Sequence, residues 1–140
     1  MSLTGCISIQ FPGNAAEAFT FYQTVFGGNL QISRYQDFPP MDMTETPPAE
    51  AVAHADLSAE GLHIVGGDAV GGTVDPAAGP YSIMLVPDSL EDGEALMGKL
   101  SAGGQVVLPL EAAPWGDHYG QARDQFGVLW EINVPGATEG

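Results

Sequence analysis

The sequence predicts an α+β fold made of two successive βαβββ modules, and three observations support this prediction. Short segments in which apolar and polar residues alternate, as in strands with one buried face, occur in both halves of the chain. Each half also contains one segment with apolar residues at helical spacing. Finally, FGGNLQI (26–32) and AGGQVVL (102–108) resemble one another 76 positions apart, so the second half restarts the pattern of the first.

The first module is expected to span about residues 4–68. It begins with CISIQF (6–11), an alternating segment that runs into a Pro-Gly-Asn turn and is typical of a strand. Asn14 is placed to cap the helix that follows, and Gly27 and Gly28 end it. Three further strands are predicted, the last two joined as a hairpin: LQISRY (30–35), AVAHADLS (51–58) and LHIVGGD (62–68).

The second module is expected to span about residues 81–135, after a linker of Gly, Pro and Ala at 69–80. Its helix is capped by Asp88 or Ser89 and ends at Gly103 and Gly104. Four strands accompany this helix: YSIMLV (81–86), QVVLPL (105–110), YGQARD (119–124) and VLWEINV (128–134).

The loop at residues 37–50 has four prolines, two methionines and no strand pattern. Loops of this length within compact domains are often functional, so we predict a lid over a binding cavity, with a disordered excursion as the alternative.

The charge balance argues against two classes of partner. The chain has 18 acidic residues and 3 basic ones, Arg34, Lys99 and Arg123, for a net charge of −15. It cannot neutralise a row of phosphates, which disfavours nucleic acid and anionic membranes as partners.

The sequence also predicts a cytoplasmic protein, since no apolar run reaches the roughly 18 residues of a membrane span and the start lacks the features of a signal peptide. A single cysteine, Cys6, rules out an internal disulfide and any multi-thiolate metal site. It lies in an apolar stretch and is expected to be a buried packing residue.

Glu131 is the first candidate catalytic residue. In VLWEINV its neighbours Trp130 and Ile132 share an apolar face that a helix would cover, which leaves Glu131 on the opposite side of the strand. There it could simply be held by a hydrogen bond or a cation. Alternatively, an apolar cavity could raise its pKa and make it a general base.

His54 is the second candidate catalytic residue, because imidazole titrates near neutral pH and Asp56 lies on the same face of the strand. The alternative is a structural histidine bonded to a backbone carbonyl or to that aspartate. Trp115 and Tyr119 flank a Gly-Asp-His turn, where aromatic residues either contact a ligand or pack at the rim of a cavity.

Three segments resemble a known family. These are GNAAEAFTFYQTVFGG, VAHADLSAEGLHIVGGDA and WGDHYGQARDQFGVLWEINV. They resemble the PhnB-like branch of the vicinal oxygen chelate superfamily, which includes glyoxalases, bleomycin-resistance proteins and extradiol dioxygenases. The resemblance implies one domain over residues 1–140, with cupped mixed sheets, helices outside, a cavity inside, and assembly as a homodimer.

Metal-dependent members of that superfamily carry ligands, typically His and Glu, on the first, fourth, fifth and eighth strands. The corresponding positions fall at or near Ile7, Val65, Tyr81 and Glu131. Only Glu131 keeps a ligand of that kind, because isoleucine and valine cannot bind a metal. A shift of two residues would add His63. We therefore predict no metal site and no cofactor.

The resemblance implies a protein that binds a small molecule in the cup, in contact with Tyr81, His54, Asp56, Glu131, Trp115 and Tyr119. Whether it catalyses a reaction is left open. One alternative is a metal-dependent enzyme of the glyoxalase type. Another is a drug-sequestering protein of the bleomycin-resistance type, since the net negative charge suits a cationic ligand. Some relatives have names that refer to demethylubiquinone methyltransferase, but the chain has no glycine-rich motif of the kind such enzymes use to bind their cofactor.

Overall fold

The computed structural model describes residues 2–40, 46–70 and 74–136. The chain divides between Pro76 and Ala77 into two compact units, each with one four-stranded mixed sheet and one 12-residue helix. The elements follow the order β1 (Ile7–Phe11), α1 (Ala15–Phe26), β2 (Asn29–Arg34), β3 (Val52–Ala59), β4 (Leu62–Asp68), β5 (Ile83–Leu85), α2 (Leu90–Ser101), β6 (Gln105–Ala112), β7 (His118–Arg123) and β8 (Leu129–Val134). The predicted α+β fold of two βαβββ modules is therefore confirmed. That the two units form a single domain stays a prediction.

The first unit has the strand order β1-β4-β3-β2, in which β1 runs parallel to β4 and the other pairs are antiparallel. Helix α1 packs on one face through an aromatic cluster. Phe19 meets Phe11 and Tyr22 edge to face, with ring centroids 6.0 and 5.9 Å apart. All three rings are fully buried, so the opposite face of the sheet carries the residues available for other roles.

Helix α1 is capped from a distant strand. The predicted cap is wrong, because Asn14 occupies the N-cap position but its side chain makes no capping hydrogen bond. Instead, Asp68 at the end of β4 accepts a hydrogen bond from the backbone N–H of Ala15, at 2.9 Å. Its other oxygen accepts from the N–H of Val52, also at 2.9 Å. One buried carboxylate thus joins the start of α1 to the start of β3.

The second unit repeats this topology with the strand order β5-β8-β7-β6, and β5 runs parallel to β8. Ser89 caps α2 by accepting a hydrogen bond from the N–H of Asp92, which selects Ser89 over Asp88 as the predicted cap. Gly93 lets α2 approach β8 closely, since a Cβ at this position would lie 2.6 Å from Cγ2 of Val134.

A second buried carboxylate organises the turn between β7 and β8. Asp124 accepts hydrogen bonds from the N–H groups of Phe126 and Val128, at 2.8 and 3.1 Å. Its other oxygen accepts from the indole N–H of Trp130, at 2.8 Å. Trp130 is fully buried, so this contact supplies the hydrogen bond that a buried indole needs.

Cys6 is exposed, so the prediction of a buried residue is wrong. Cys6 immediately precedes β1. The buried residues of that strand are Ile9 and Phe11, and the alternation of the strand places Cys6 on the face opposite to theirs.

Among residues 2–40, 46–70 and 74–136, no helix is long and apolar enough to cross a membrane.

A 3₁₀ turn at Tyr35–Asp37 leads into the loop predicted as a lid, residues 37–50. Its central part, residues 41–45, lies outside the described residues, as do residues 71–73 of the predicted linker. The role of a lid therefore stays a prediction.

Candidate functional site

Glu131 lies on the face of the second sheet that is turned away from α2. Along β8 the residues alternate between buried and half-buried, with Trp130, Ile132 and Val134 buried. These apolar residues lie on the side of α2, which contacts β8. Glu131 is half-buried on the other side, as its place in the alternation predicts.

Two hydroxyl groups donate hydrogen bonds to the Glu131 carboxylate. Ser82 Oγ donates to Oε2 at 2.6 Å, and the Tyr119 hydroxyl donates to Oε1. Gln121 Nε2 donates in turn to the Tyr119 oxygen at 2.8 Å. We call these four residues the Glu131 cluster.

Strand pairing explains how the Glu131 cluster forms. Gln121 of β7 lies directly opposite Glu131 of β8 in the antiparallel ladder, and Tyr119 lies two residues away on the same face. On the other side of β8, Met84 of β5 is paired with Glu131. Ser82, two residues before Met84, therefore reaches the carboxylate from the opposite edge of β8.

The hydrogen bonds from Ser82 and Tyr119 lower the pKa of Glu131 below its ordinary value of 4.5 and outweigh the opposing effect of burial. Burial and the contact with Glu131 raise the pKa of Tyr119. Of the two alternatives for Glu131, the structure favours a carboxylate held by hydrogen bonds over one with a raised pKa. At neutral pH the site presents an ionised carboxylate beside a neutral phenol.

The lowered pKa makes a direct prediction for the titration of Glu131. Above pH 4.5 the two hydrogen bonds to the ionised form stabilise the fold in full, and this stabilisation is lost as the pH falls through the folded-state pKa. A ¹³C NMR titration of the side-chain carboxyl is expected to give a midpoint below 4.5. Because Ser82 makes the largest contribution, Ser82→Ala is expected to raise that midpoint.

The matched control for this titration is Ser101→Ala, which removes a serine hydroxyl from the end of α2, where Ser101 bonds to Gly98. It is expected to leave the midpoint unchanged. A midpoint at or above 4.5 in the unmodified protein would contradict the assignment of these hydrogen bonds.

Two of the aromatic residues predicted to contact a ligand lie side by side. Trp115 and Tyr119 meet edge to face with ring centroids 6.1 Å apart, and Trp115 is 64 % exposed. Both line a groove of about 200 Å³. We call it the Trp115 groove, and its walls are Leu108, Pro109, Glu111, Ala112, Ala113, Pro114, Trp115 and Tyr119.

In the first unit, Asp56 pairs with His63 and not with His54. Asp56 Oδ1 lies 3.0 Å from Nε2 of His63, on the neighbouring strand β4, and it also accepts a hydrogen bond from Ser58. His54 is exposed and is paired across the ladder with Ser33. The histidine partner of Asp56 is therefore His63, and the structure does not join His54 to it.

Tyr81 lies just before β5 and is 42 % exposed. Its neighbour in the chain, Ser82, is the residue that bonds to Glu131. Of the predicted site residues, the structure thus brings Glu131, Tyr119 and Trp115 together, and places Tyr81 beside that group in sequence.

Comparison with known proteins identifies the family. The family model described as the Glyoxalase/Bleomycin resistance protein/Dioxygenase superfamily matches residues 8–132. The chain belongs to this superfamily. It is also 29 % identical over 136 residues to Protein YjdN of Escherichia coli (strain K12), a match that covers 90 % of this chain and 91 % of YjdN.

Solved structures support the same assignment. Protein PA1353 from Pseudomonas aeruginosa has a TM-score of 0.83 and 30 % identity, covering 97 % of this chain and all of that one. A PhnB protein from Bacillus cereus, described as a putative 3-demethylubiquinone-9 3-methyltransferase, has a TM-score of 0.72 and 25 % identity, covering 94 % and 99 %. The predicted resemblance to PhnB-like members of the superfamily is confirmed.

The residues at the metal-ligand positions of the superfamily do not fit a divalent ion. Ile7 lies on the α1 side of its sheet together with Ile9 and Phe11, and Val65 has no donor atom. Both oxygens of Glu131 already accept hydrogen bonds from hydroxyl groups. Within residues 2–40, 46–70 and 74–136, no group of three or more His, Cys, Asp or Glu side chains is placed to hold a metal ion.

Three residues around Glu131 and the Trp115 groove were not predicted from the sequence: Ser82, Gln121 and Glu111. Gln121 could have been found, because it alternates with Tyr119 in a strand that forms a hairpin with β8. Ser82 lies 49 positions from Glu131 and reaches it through the parallel pairing of β5 with β8, which no local pattern reveals. Glu111 was missed because β6 extends beyond its predicted end at residue 110.

Proposed function

We propose that this chain is a PhnB-like small-molecule-binding protein that holds its ligand through the ionised carboxylate of Glu131, without a metal ion. The observation that carries the proposal is the Glu131 cluster. A carboxylate is held half-buried by two neutral hydroxyl donors, on the face of its sheet that is turned away from α2. At the other positions where the superfamily carries metal ligands, this chain has residues of a different kind.

The geometry of the cluster favours a ligand that donates hydrogen bonds. An ionised carboxylate has about four lone-pair positions, and the hydroxyls of Ser82 and Tyr119 occupy two of them. The remaining positions can accept N–H or O–H groups. Hydrogen bonds to a charged acceptor contribute about 1.5–3 kcal/mol each, so this carboxylate can fix the orientation of a small molecule.

The same hydrogen bonds favour binding over proton transfer. They lower the pKa of Glu131, and a carboxylate with a lowered pKa is a weaker base. A general base is expected to have a pKa near the working pH, which would require the opposite shift. Glu131 is therefore better suited to hold a ligand than to remove a proton from it.

The proposal is tested by asking what the purified protein binds and whether Glu131 is required. Native mass spectrometry of the protein as isolated, followed by thermal shift measurements with any molecule released from it, is expected to show one bound species. Glu131→Gln is expected to remove most of the shift, since it keeps the shape and deletes the charge. Glu94→Gln on the exposed surface of α2 makes the same charge change and is expected to bind normally.

Two outcomes would contradict the proposal. One is a ligand that binds Glu131→Gln as tightly as the unmodified protein. The other is a stoichiometric zinc, nickel, iron or manganese ion in elemental analysis, which would favour the metal-dependent alternative.

We also propose that the chain forms a homodimer and is located in the cytoplasm. Homodimerisation is supported by the superfamily resemblance, and both sheets have edge strands, β2 and β6, that association could cover. Light scattering is expected to give the mass of two chains, and a monomeric mass would contradict this part of the proposal.

A further inference from the structure

The Trp115 groove combines exposed aromatic surface with a carboxylate. Trp115 and Tyr119 form one wall, and Glu111 on β6 is paired across the ladder with Tyr119. Leu108, Pro109 and Pro114 are among the remaining, uncharged lining residues. Glu111 is the one charged residue among those that line the groove.

Trp115 is held in place although it is exposed. Its ring packs edge to face against Tyr119, and the carboxylate of Asp117, two residues further along the chain, accepts hydrogen bonds from the N–H of Gly136 and from Asn133. The backbone of the loop is closed by a bond from the N–H of Ala113 to the carbonyl of Asp117, at 2.7 Å. A fixed, exposed indole loses little conformational entropy when it contacts a ligand.

The electrostatics of the groove favour a cation. The faces of tryptophan and tyrosine rings attract cations, and Glu111 supplies a full negative charge beside them. The Tyr119 hydroxyl donates to the ionised Glu131, which makes the phenol ring more electron-rich. Of the two basic residues in this unit, Lys99 lies on α2, and Arg123 donates to the carbonyl of Gly127; neither lines the groove.

The volume of the groove limits the size of the group it accepts. Pockets for drug-sized molecules occupy about 300–1,000 Å³, and this groove offers about 200 Å³. It therefore suits a compact cationic group rather than a whole drug. An alkylated ammonium fits these conditions best, because its methyl groups contact aromatic and proline surface while its charge faces Glu111.

We propose that the Trp115 groove binds the alkylated ammonium group of a small organic cation, between Trp115, Tyr119 and Glu111. This inference rests on the proposed function and defines the chemical class of its ligand. Tyr119 belongs both to the groove and to the Glu131 cluster, so a ligand whose ammonium group occupies the groove brings its other polar groups towards Glu131.

The experiment compares two probes of equal shape and different charge, choline and its uncharged carbon analogue 3,3-dimethylbutan-1-ol, at constant ionic strength. The indole N–H resonances of the two tryptophans report binding. Trp115 lies in the groove, and the fully buried Trp130 serves as an internal control. Choline is expected to shift the Trp115 resonance saturably without moving that of Trp130, and the alcohol is expected to bind about tenfold more weakly.

Matched variants test the two walls of the groove. Glu111→Gln is expected to weaken choline binding about threefold to tenfold, while Glu94→Gln, the same change on α2, leaves it unchanged. Trp115→Leu keeps apolar surface and removes the ring. Calorimetry is expected to show about tenfold weaker binding for this variant.

The inference would be overturned by equal binding of choline and its alcohol analogue, by a non-saturable shift of Trp115, or by choline binding that is the same in Glu111→Gln and Glu94→Gln. These outcomes differ from a failure of the proposed function. If an isolated ligand requires Glu131 but is unaffected by changes at Trp115 and Glu111, the proposed function stands and this inference falls.

Discussion

Replacement of Asp124 by alanine is expected to lower the free energy of unfolding by about 3–5 kcal/mol. Its carboxylate, 3 % exposed, accepts hydrogen bonds from two backbone N–H groups and from the indole of Trp130. Alanine would remove the acceptor of two buried donors, the N–H of Val128 and the indole of Trp130, and of the half-buried N–H of Phe126, and each such loss costs about 1–3 kcal/mol. Urea unfolding followed by tryptophan fluorescence measures the effect, since Trp130 is fully buried.

Asp124→Asn provides a milder variant in case the alanine variant does not fold. An amide keeps one accepting oxygen, so it can retain the bonds to the turn or the bond to Trp130 but not both. Its loss of stability is expected to lie between those of Asp124→Ala and the surface control Glu94→Gln. An Asp124→Ala variant as stable as that control would show that the carboxylate does not hold this turn together.

Replacement of Asp68 by alanine is expected to cost about 2–4 kcal/mol, for a related reason in the first unit. Asp68 is 7 % exposed and accepts from the N–H groups of Ala15 and Val52. Its charge also lies at the positive end of the α1 dipole, which adds to the stabilisation. Hydrogen exchange is expected to show lost protection in the first turn of α1 and at the start of β3.

The control for Asp68 is Glu60→Gln, at the exposed turn between β3 and β4, which is expected to change stability by less than about 0.5 kcal/mol. A loss of protection spread evenly over both units, rather than concentrated near Ala15 and Val52, would contradict the local role assigned to Asp68.

The sequence predicted the fold and the side of the sheet on which Glu131 lies because both depend on short-range periodicity. The alternation of VLWEINV places Trp130 and Glu131 on opposite faces wherever the strand is packed. The same reasoning placed Trp115 and Tyr119 near one another, since they are four residues apart around a turn.

Properties that depend on distant parts of the chain could not be predicted in this way. The cap of α1 comes from Asp68, 53 positions away, and the alternation of strands says nothing about such a contact. The lowered pKa of Glu131 has its largest cause in Ser82, 49 positions away, with a further contribution from Tyr119. Partial burial taken alone would predict the opposite direction.

In each unit the first strand pairs in parallel with the last. Within the part of the chain that the structure describes, β1 therefore gains its sheet neighbour when β4 is added, and β5 gains its neighbour when β8 is added. During synthesis the first unit has all its strands once Asp68 has left the ribosome. The second unit has to wait for Val134, because β8 lies between β5 and β7. A premature stop codon between residues 124 and 129 would therefore remove an inner strand, together with Glu131, rather than trim an edge.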